Sequence, residues 1–228
     1  MEKNNINSKL VNLLQRSASA IILVPIVLSA VYFGGIVYKG LIVVMAILMA
    51  FEWSNITAKQ TDSKQQFIWS LIGLIYILMP TVSLVWIREH SKGKEVIFWL
   101  LANVWMTDIA AYFVGSTIGG PKLCPSISPN KTWSGLIGGV IAAAIVGMIT
   151  AKYNHSAKPE YLIILSATLG IYGQIGDLIE SWIKRKFNVK DSGKIIPGHG
   201  GILDRVDSLV PVAPKVVFVL LFDKWGIF

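Results

Sequence analysis

ASAIILVPIVLSAVYFGG, residues 18–35, decides the fold. The stretch has no ionisable side chain other than one tyrosine. As a helix rising about 1.5 Å per residue it reaches ~27 Å, close to the ~30 Å hydrocarbon thickness of a bilayer. Outward from it, six further apolar blocks lie near 40–56, 67–87, 95–116, 133–151, 161–183 and 207–226. Short polar stretches separate them and leave no room for a soluble domain. The pattern predicts an all-α, polytopic integral membrane protein with about seven transmembrane helices, within a range of six to nine. Residues 1–17 read as a cytosolic N-terminal tail, and 18–228 as one multi-span membrane domain.

Composition agrees. The chain is 54% hydrophobic and 15% charged with mean hydropathy +0.60, against about 25% charged in an ordinary soluble domain. The formal charge of +8 raises the question of nucleic acid, but the Lys and Arg residues cluster at the ends of apolar blocks. Membrane topology and anionic headgroups account for them, and no nucleic-acid partner is expected. The single cysteine, Cys124, excludes an internal disulfide and reads as an ordinary loop residue.

Basic residues set the orientation. With the N-terminus inside, segments 1–17, 57–66, 117–132 and 184–206 hold 13 Lys and Arg against 7 in the outer segments. This places both polar, Gly- and Pro-rich connections, 117–132 and 184–206, on the cytosolic face of a cell membrane. The last block holds Pro211, Pro214 and Lys215 and is expected to be kinked or broken.

Chemistry concentrates at the end of the sixth block, GQIGDLIESWIKRKFNVKDSGKIIPGHGGILDRVD, residues 173–207. On a helix, Asp177, Glu180, Ser181 and Lys184 share one face. Gly173 and Gly176 allow another helix to approach closely. Asp204 and Asp207, three apart, share a face of their own. An ionisable residue inside a span is a functional-site hypothesis by default, which applies to Asp177 and to Asp108 in the fourth block. Asp177, Asp204 and Asp207 are the candidate ligands for Mg²⁺, which takes oxygen donors from a few carboxylates, phosphates and water. Lys184, Arg185, Lys186, Lys190, Lys194 and Arg205 are candidates to hold a polyphosphate, and Gly200 and Gly201 to bring backbone N–H groups to phosphate oxygens. His199 between glycines reads first as a turn residue or phosphate donor and second as a general base. Carboxylates for metal beside cations for phosphate point to phosphoryl or nucleotidyl transfer.

The other connection, TDIAAYFVGSTIGGPKLCPSISPNKTWSG, spans 107–135. GSTIGGPK is not a phosphate-binding P-loop, because Pro121 stands where that motif needs Lys. Pro129 and Asn130 are expected to form a turn, with a helix opening at Lys131-Thr132-Trp133. Ser128 and Thr132 are candidate helix caps and phosphate donors, and Trp133 reads as an interfacial anchor.

These residues resemble the phosphatidate cytidylyltransferase family. The resemblance is carried by Ser181, Lys184-Arg185, Lys190-Asp191, Gly193, Pro197, His199-Gly200-Gly201 and Asp204-Arg205-Val206-Asp207. TDIAAYFVG, SPNKTW and GQIGDLIES extend it over 107–208, while the first hundred residues are similar only in being hydrophobic. The family usually has Ser-Pro-Lys-Lys-Thr-Trp-Glu-Gly where this chain has Asn130 and Ser134. The resemblance implies Mg²⁺-dependent cytidylyl transfer from CTP to phosphatidic acid, giving CDP-diacylglycerol and pyrophosphate in phospholipid synthesis. A second cation stays open. It implies catalytic roles for Lys184, Arg185, Lys190, Asp191, His199 and Arg205, and substrate contacts for Ser128, Lys131, Thr132, Ser181, Gly200, Gly201 and Asp108. A homodimer is compatible, although no residue argues for one. The alternatives are another CTP-dependent lipid enzyme, such as a polyprenol kinase, and a small anion or proton transporter. The transporter would show paired broken helices in two symmetric halves, which the sequence lacks.

Overall fold

A computed structural model describes residues 2–58, 60, 62–154, 158–193, 195–196, 198 and 200–222, with side chains described from residue 18 onward. Its elements are α1 (Glu2–Phe33), α2 (Gly35–Thr57), α3 (Ser63–Glu89), α4 (Gly93–Ile118), β1 (Lys122–Cys124), β2 (Ser128–Thr132), α5 (Trp133–Tyr153), α6 (Pro159–Lys186), α7 (Leu203–Val206) and α8 (Leu209–Leu221). The fold is the expected all-α polytopic one. Helices α2 to α6 are long and apolar enough to cross a membrane, while Ala18–Phe33 and α8 are shorter apolar helices. The segment expected as a tail continues α1.

Glycine pairs and one arginine set the first connection. Gly34 and Gly35 both take positive φ, 67° and 54°, which glycine alone adopts without cost. Arg88 at the end of α3 donates to the α1 carbonyls of Val31 (2.9 Å) and Tyr32 (3.4 Å), satisfying acceptors that a helix end leaves open.

Helices α4, α5 and α6 pack through small residues. A Cβ on Gly139 would lie 3.0 Å from the Thr107 carbonyl, and one on Gly147 would lie 2.7 Å from the Leu162 carbonyl. Backbones therefore come close enough for van der Waals contact, which drives association where lipid removes the hydrophobic incentive. Asn103, fully buried in α4, donates to the carbonyls of Ala143 (3.5 Å) and Ser166 (3.3 Å), joining the three helices. Gly173 and Gly176 on α6 face Ser208 and Pro211 respectively, so the close approach expected of them is made by the last segment.

Two local expectations change. Pro129 and Asn130 form no turn; they lie in β2, which pairs antiparallel with β1, and residues 125–127 make the turn. Ser128 thus sits in a strand, and Thr132 alone of the two caps α5, accepting from Gly135 N at 3.1 Å. Polar, Pro-containing sequence reads as turn, but pairing with β1 supplies the backbone partners that make it a strand. The last block is broken as expected, with α7 and α8 separated at Asp207–Ser208 and Pro214 inside α8; residues 223–226 of the expected span lie outside the described residues.

Candidate active site

Both polar connections meet at one end of the helices. The ribbon places Lys131 against α6, where its Nζ lies 2.6 Å from Asp177 Oδ2 and donates to Gln174 Oε1 at 2.9 Å. Gln174 Nε2 in turn donates to Asp108 Oδ1 on α4 (3.3 Å), and Ser181 Oγ donates to Asp177 Oδ1 (3.3 Å). One polar chain, Asp108–Gln174–Lys131–Asp177–Ser181, therefore links α4, α6 and β2. Arg185 closes the same face, donating to the Ile127 carbonyl of the ribbon turn (3.4 Å) and to Val189 O (3.2 Å).

One helical turn further along α6, Lys184 Nζ lies 2.5 Å from Glu180 Oε2 and 2.5 Å from Asp204 Oδ1. The other oxygen of Asp204 accepts from Ser192 N (3.0 Å), Ser192 Oγ (2.9 Å) and Gly201 N (2.9 Å). Burial opposes ionisation of Asp204, but the Lys184 hydrogen bond and charge and the Gly201 N–H together hold its carboxyl below the usual carboxylate range. Gly200 takes φ 80°, and a Cβ there would lie 2.7 Å from Asp204 Oδ2. Asp207, the residue that ends α7, accepts from Ser208 N at 2.8 Å and lies within electrostatic reach of Asp177, Glu180 and Asp108.

The structure thus brings Asp108, Lys131, Asp177, Ser181, Lys184, Arg185, Asp204 and Asp207 to one region. Lys190, Asp191 and Arg205 are exposed on the connection. His199, with Lys194 and Pro197, lies outside the described residues. The N–H of Gly201, expected to meet phosphate, is spent on Asp204. Among the described residues no three His, Cys, Asp or Glu side chains surround one point closely enough to form a ligand set.

An Mg²⁺ ion is nonetheless compatible with part of the set. Glu180 Oε1 is buried without a hydrogen-bond partner among the described residues, as is the hydroxyl of Tyr76 on α3. Each oxygen of Asp177 has one printed partner, Lys131 or Ser181, and Asp207 Oδ1 accepts from Ser208 N, whereas Asp204 Oδ2 already takes three donors and Oδ1 the Lys184 ammonium. An oxygen-only group with two carboxylates suits Mg²⁺, which completes its shell with phosphates and water.

Two residues escaped the reading of the sequence. Gln174, three before Asp177 on the same face, was open to the helical-period argument that found Asp177. Glu52 on α2 is 1% exposed and accepts from Ser192 Oγ, Ile202 N and Leu203 N. An acidic residue inside an apolar block was its only signal.

Residues 56–222 match the cytidylyltransferase family. The chain belongs to that family. It is 39% identical over 215 residues to a phosphatidate cytidylyltransferase of Rickettsia bellii, covering 91% of this chain and 90% of the relative. A phosphatidate cytidylyltransferase of Brucella suis is 37% identical over 245 residues, covering 89% and 91%; one of Rickettsia felis is 38% identical over 216 residues, covering 91% and 92%. In this member of the cytidylyltransferase family the matched residues hold the ribbon, α6, the Gly-rich connection and α7, hence all of the polar chain described above.

Proposed function

We infer that this family member transfers the cytidylyl group of CTP to phosphatidate, releasing CDP-diacylglycerol and pyrophosphate. The observation that carries this reading is the junction of Lys131 on the ribbon with Asp177 and Ser181 on α6, beside the exposed cations of the connection. A lipid whose acyl chains stay in hydrocarbon can present its phosphate there, while a nucleotide arrives from water.

An anionic phosphate oxygen of the lipid attacks the α-phosphorus of CTP. The new P–O bond forms as the bond to the β-phosphate breaks, and pyrophosphate leaves with that electron pair. The nucleophile is already ionised, so positioning and charge neutralisation supply most of the rate. Lys131, fixed by Gln174 and Asp177, is placed to meet a phosphate on the membrane side. Arg185, Lys190 and Arg205 neutralise triphosphate and departing pyrophosphate on the water side. Asp177 and Asp207 would hold Mg²⁺, which when bound supplies charge neutralisation on the phosphate oxygens. Asp204 acts chiefly on the loop, through Ser192 and Gly201. The excess of Lys and Arg in alternate segments supports a cytosolic active face.

Purified protein given CTP and phosphatidate tests the reading. Label from the α-phosphate should enter lipid; label from the γ-phosphate entering instead would make the protein a lipid kinase. Asp177→Asn should abolish turnover with unchanged membrane expression, and normal turnover would remove Asp177 from the site.

A further inference from the structure

The Gly-rich connection is held from α2, by a residue just before the span that matches the family. Glu52 sits in α2, before the matched residues 56–222. Its Oε1 accepts from Ile202 N (2.9 Å), and its Oε2 from Leu203 N (2.9 Å) and Ser192 Oγ (3.0 Å). No Lys or Arg among the described residues forms an ion pair with it, so these hydrogen bonds are what the described residues offer its carboxyl group. A Cβ on Gly193 would lie 2.5 Å from Glu52 Oε1, and one on Gly201 would collide with Ser192 Oγ and the Glu52 carboxylate. Those glycines are therefore required by Glu52 as much as by any substrate.

Ser192 Oγ lies between two carboxylates, 3.0 Å from Glu52 Oε2 and 2.9 Å from Asp204 Oδ2, and its one proton serves one of them at a time. Asp204 is in turn tied to Lys184 on α6. The loop is thus gripped from α2 by Glu52 and from α6 through Lys184 and Asp204, with Ser192 shared by the two grips. The donors of Ser192, Gly201, Ile202 and Leu203 are occupied by the protein's own carboxylates.

We propose that Glu52 is a positioning residue for cytidylyl transfer: it touches no substrate and sets where the 190–205 loop presents Lys190 and Arg205. The idea rests on the reading of that loop as part of the active site. A grip of this kind acts on the geometry of the reacting complex more than on encounter with CTP, so its loss should appear in kcat rather than KM.

The test uses the full chain in mild detergent with Glu52→Gln, Ser192→Ala and the pair combined. Glu52→Gln keeps the volume but turns an amide NH₂ toward backbone N–H donors. Amide exchange in peptides covering 190–206 should speed up by about tenfold or more, with α4 to α6 unchanged. The kcat should fall by roughly thirtyfold or more while KM for CTP moves less than about threefold. The double variant should lose no more than about twice what the worse single loses, because the two act through one grip. Should Glu52→Gln fail to accumulate, Ser192→Ala, which removes only a hydroxyl, carries the same expectations in the same direction. Unchanged exchange across 190–206 overturns the proposal, as does a released loop with near-normal kcat. Asp177→Asn assayed alongside separates the two ideas: normal turnover there defeats the site assignment, and the grip then stands or falls on exchange alone.

Discussion

Replacing Lys184 by Met removes the one cation that pairs with both buried carboxylates among the described residues, while keeping a side chain of similar length. Lys184 Nζ is 2.5 Å from Glu180 Oε2 and from Asp204 Oδ1, and the three side chains are 12%, 5% and 9% exposed respectively. Removing one partner of a buried ion pair costs about 3–5 kcal/mol, because a desolvated charge is left without compensation. A chain of this size loses about 2–4 °C of melting temperature per kcal/mol, so Lys184→Met should melt about 6–20 °C below wild type. Thermal unfolding in mild detergent, followed by tryptophan fluorescence, measures the shift. Adding Glu180→Gln to Lys184→Met should recover at least half of the loss, since it removes the like charge facing Asp204. Asp204 retains Ser192 and Gly201 as donors in either variant. A single variant melting with the wild type, or a double variant melting lower still, would refute the account of Lys184 as the bridge between α6 and α7.

Lys131→Ala should lower kcat/KM by roughly ten- to a hundredfold, the equivalent of one charge-assisted hydrogen bond; an unchanged profile in steady-state kinetics would move the ribbon away from the site. Thr132→Ala should cost about 1 kcal/mol through the lost cap of α5, read as a modest drop in melting temperature with little change in KM. Gly147→Val should destabilise by about 1–3 kcal/mol, because its side chain meets Ser166 and the Leu162 carbonyl across the α5–α6 contact; wild-type melting would show that the helices have room to part.

Periodicity made α6 legible. Asp177, Ser181 and Lys184 are spaced so that any helix places them on one face, and the apolar length of the blocks left helix as the only economical structure in lipid. The ribbon was hidden because Ser128, Pro129 and Asn130 have turn chemistry, and only pairing with a distant partner overrides it. The partners of the expected ligands were hidden for a related reason. Spacing shows that Asp204 and Asp207 can share a face, but not that Ser192, Gly201 and Lys184 already occupy Asp204. Glu52 was hidden more deeply, since its partners are 140 to 151 residues away and no local pattern signals a contact of that span.

The occupied loop donors change how phosphate must be recognised. In a nest that binds a nucleotide, backbone N–H groups face an open concavity and a missing ligand leaves them to water. Here Ser192 N and Gly201 N face Asp204, and Ile202 N and Leu203 N face Glu52, so the anions that satisfy them are internal and permanent. On the proposed reading, phosphate oxygens are then met by side chains, Lys131 from the ribbon and Arg185, Lys190 and Arg205 from the connection. Internal carboxylates fix the loop before substrate arrives, which spares the cost of ordering it at the moment of binding. They also place negative charge behind it, which favours cations in front. A loop anchored this way at Ser192 and 201–203 is, on the proposed reading, one whose cations are where substrate charge should be felt.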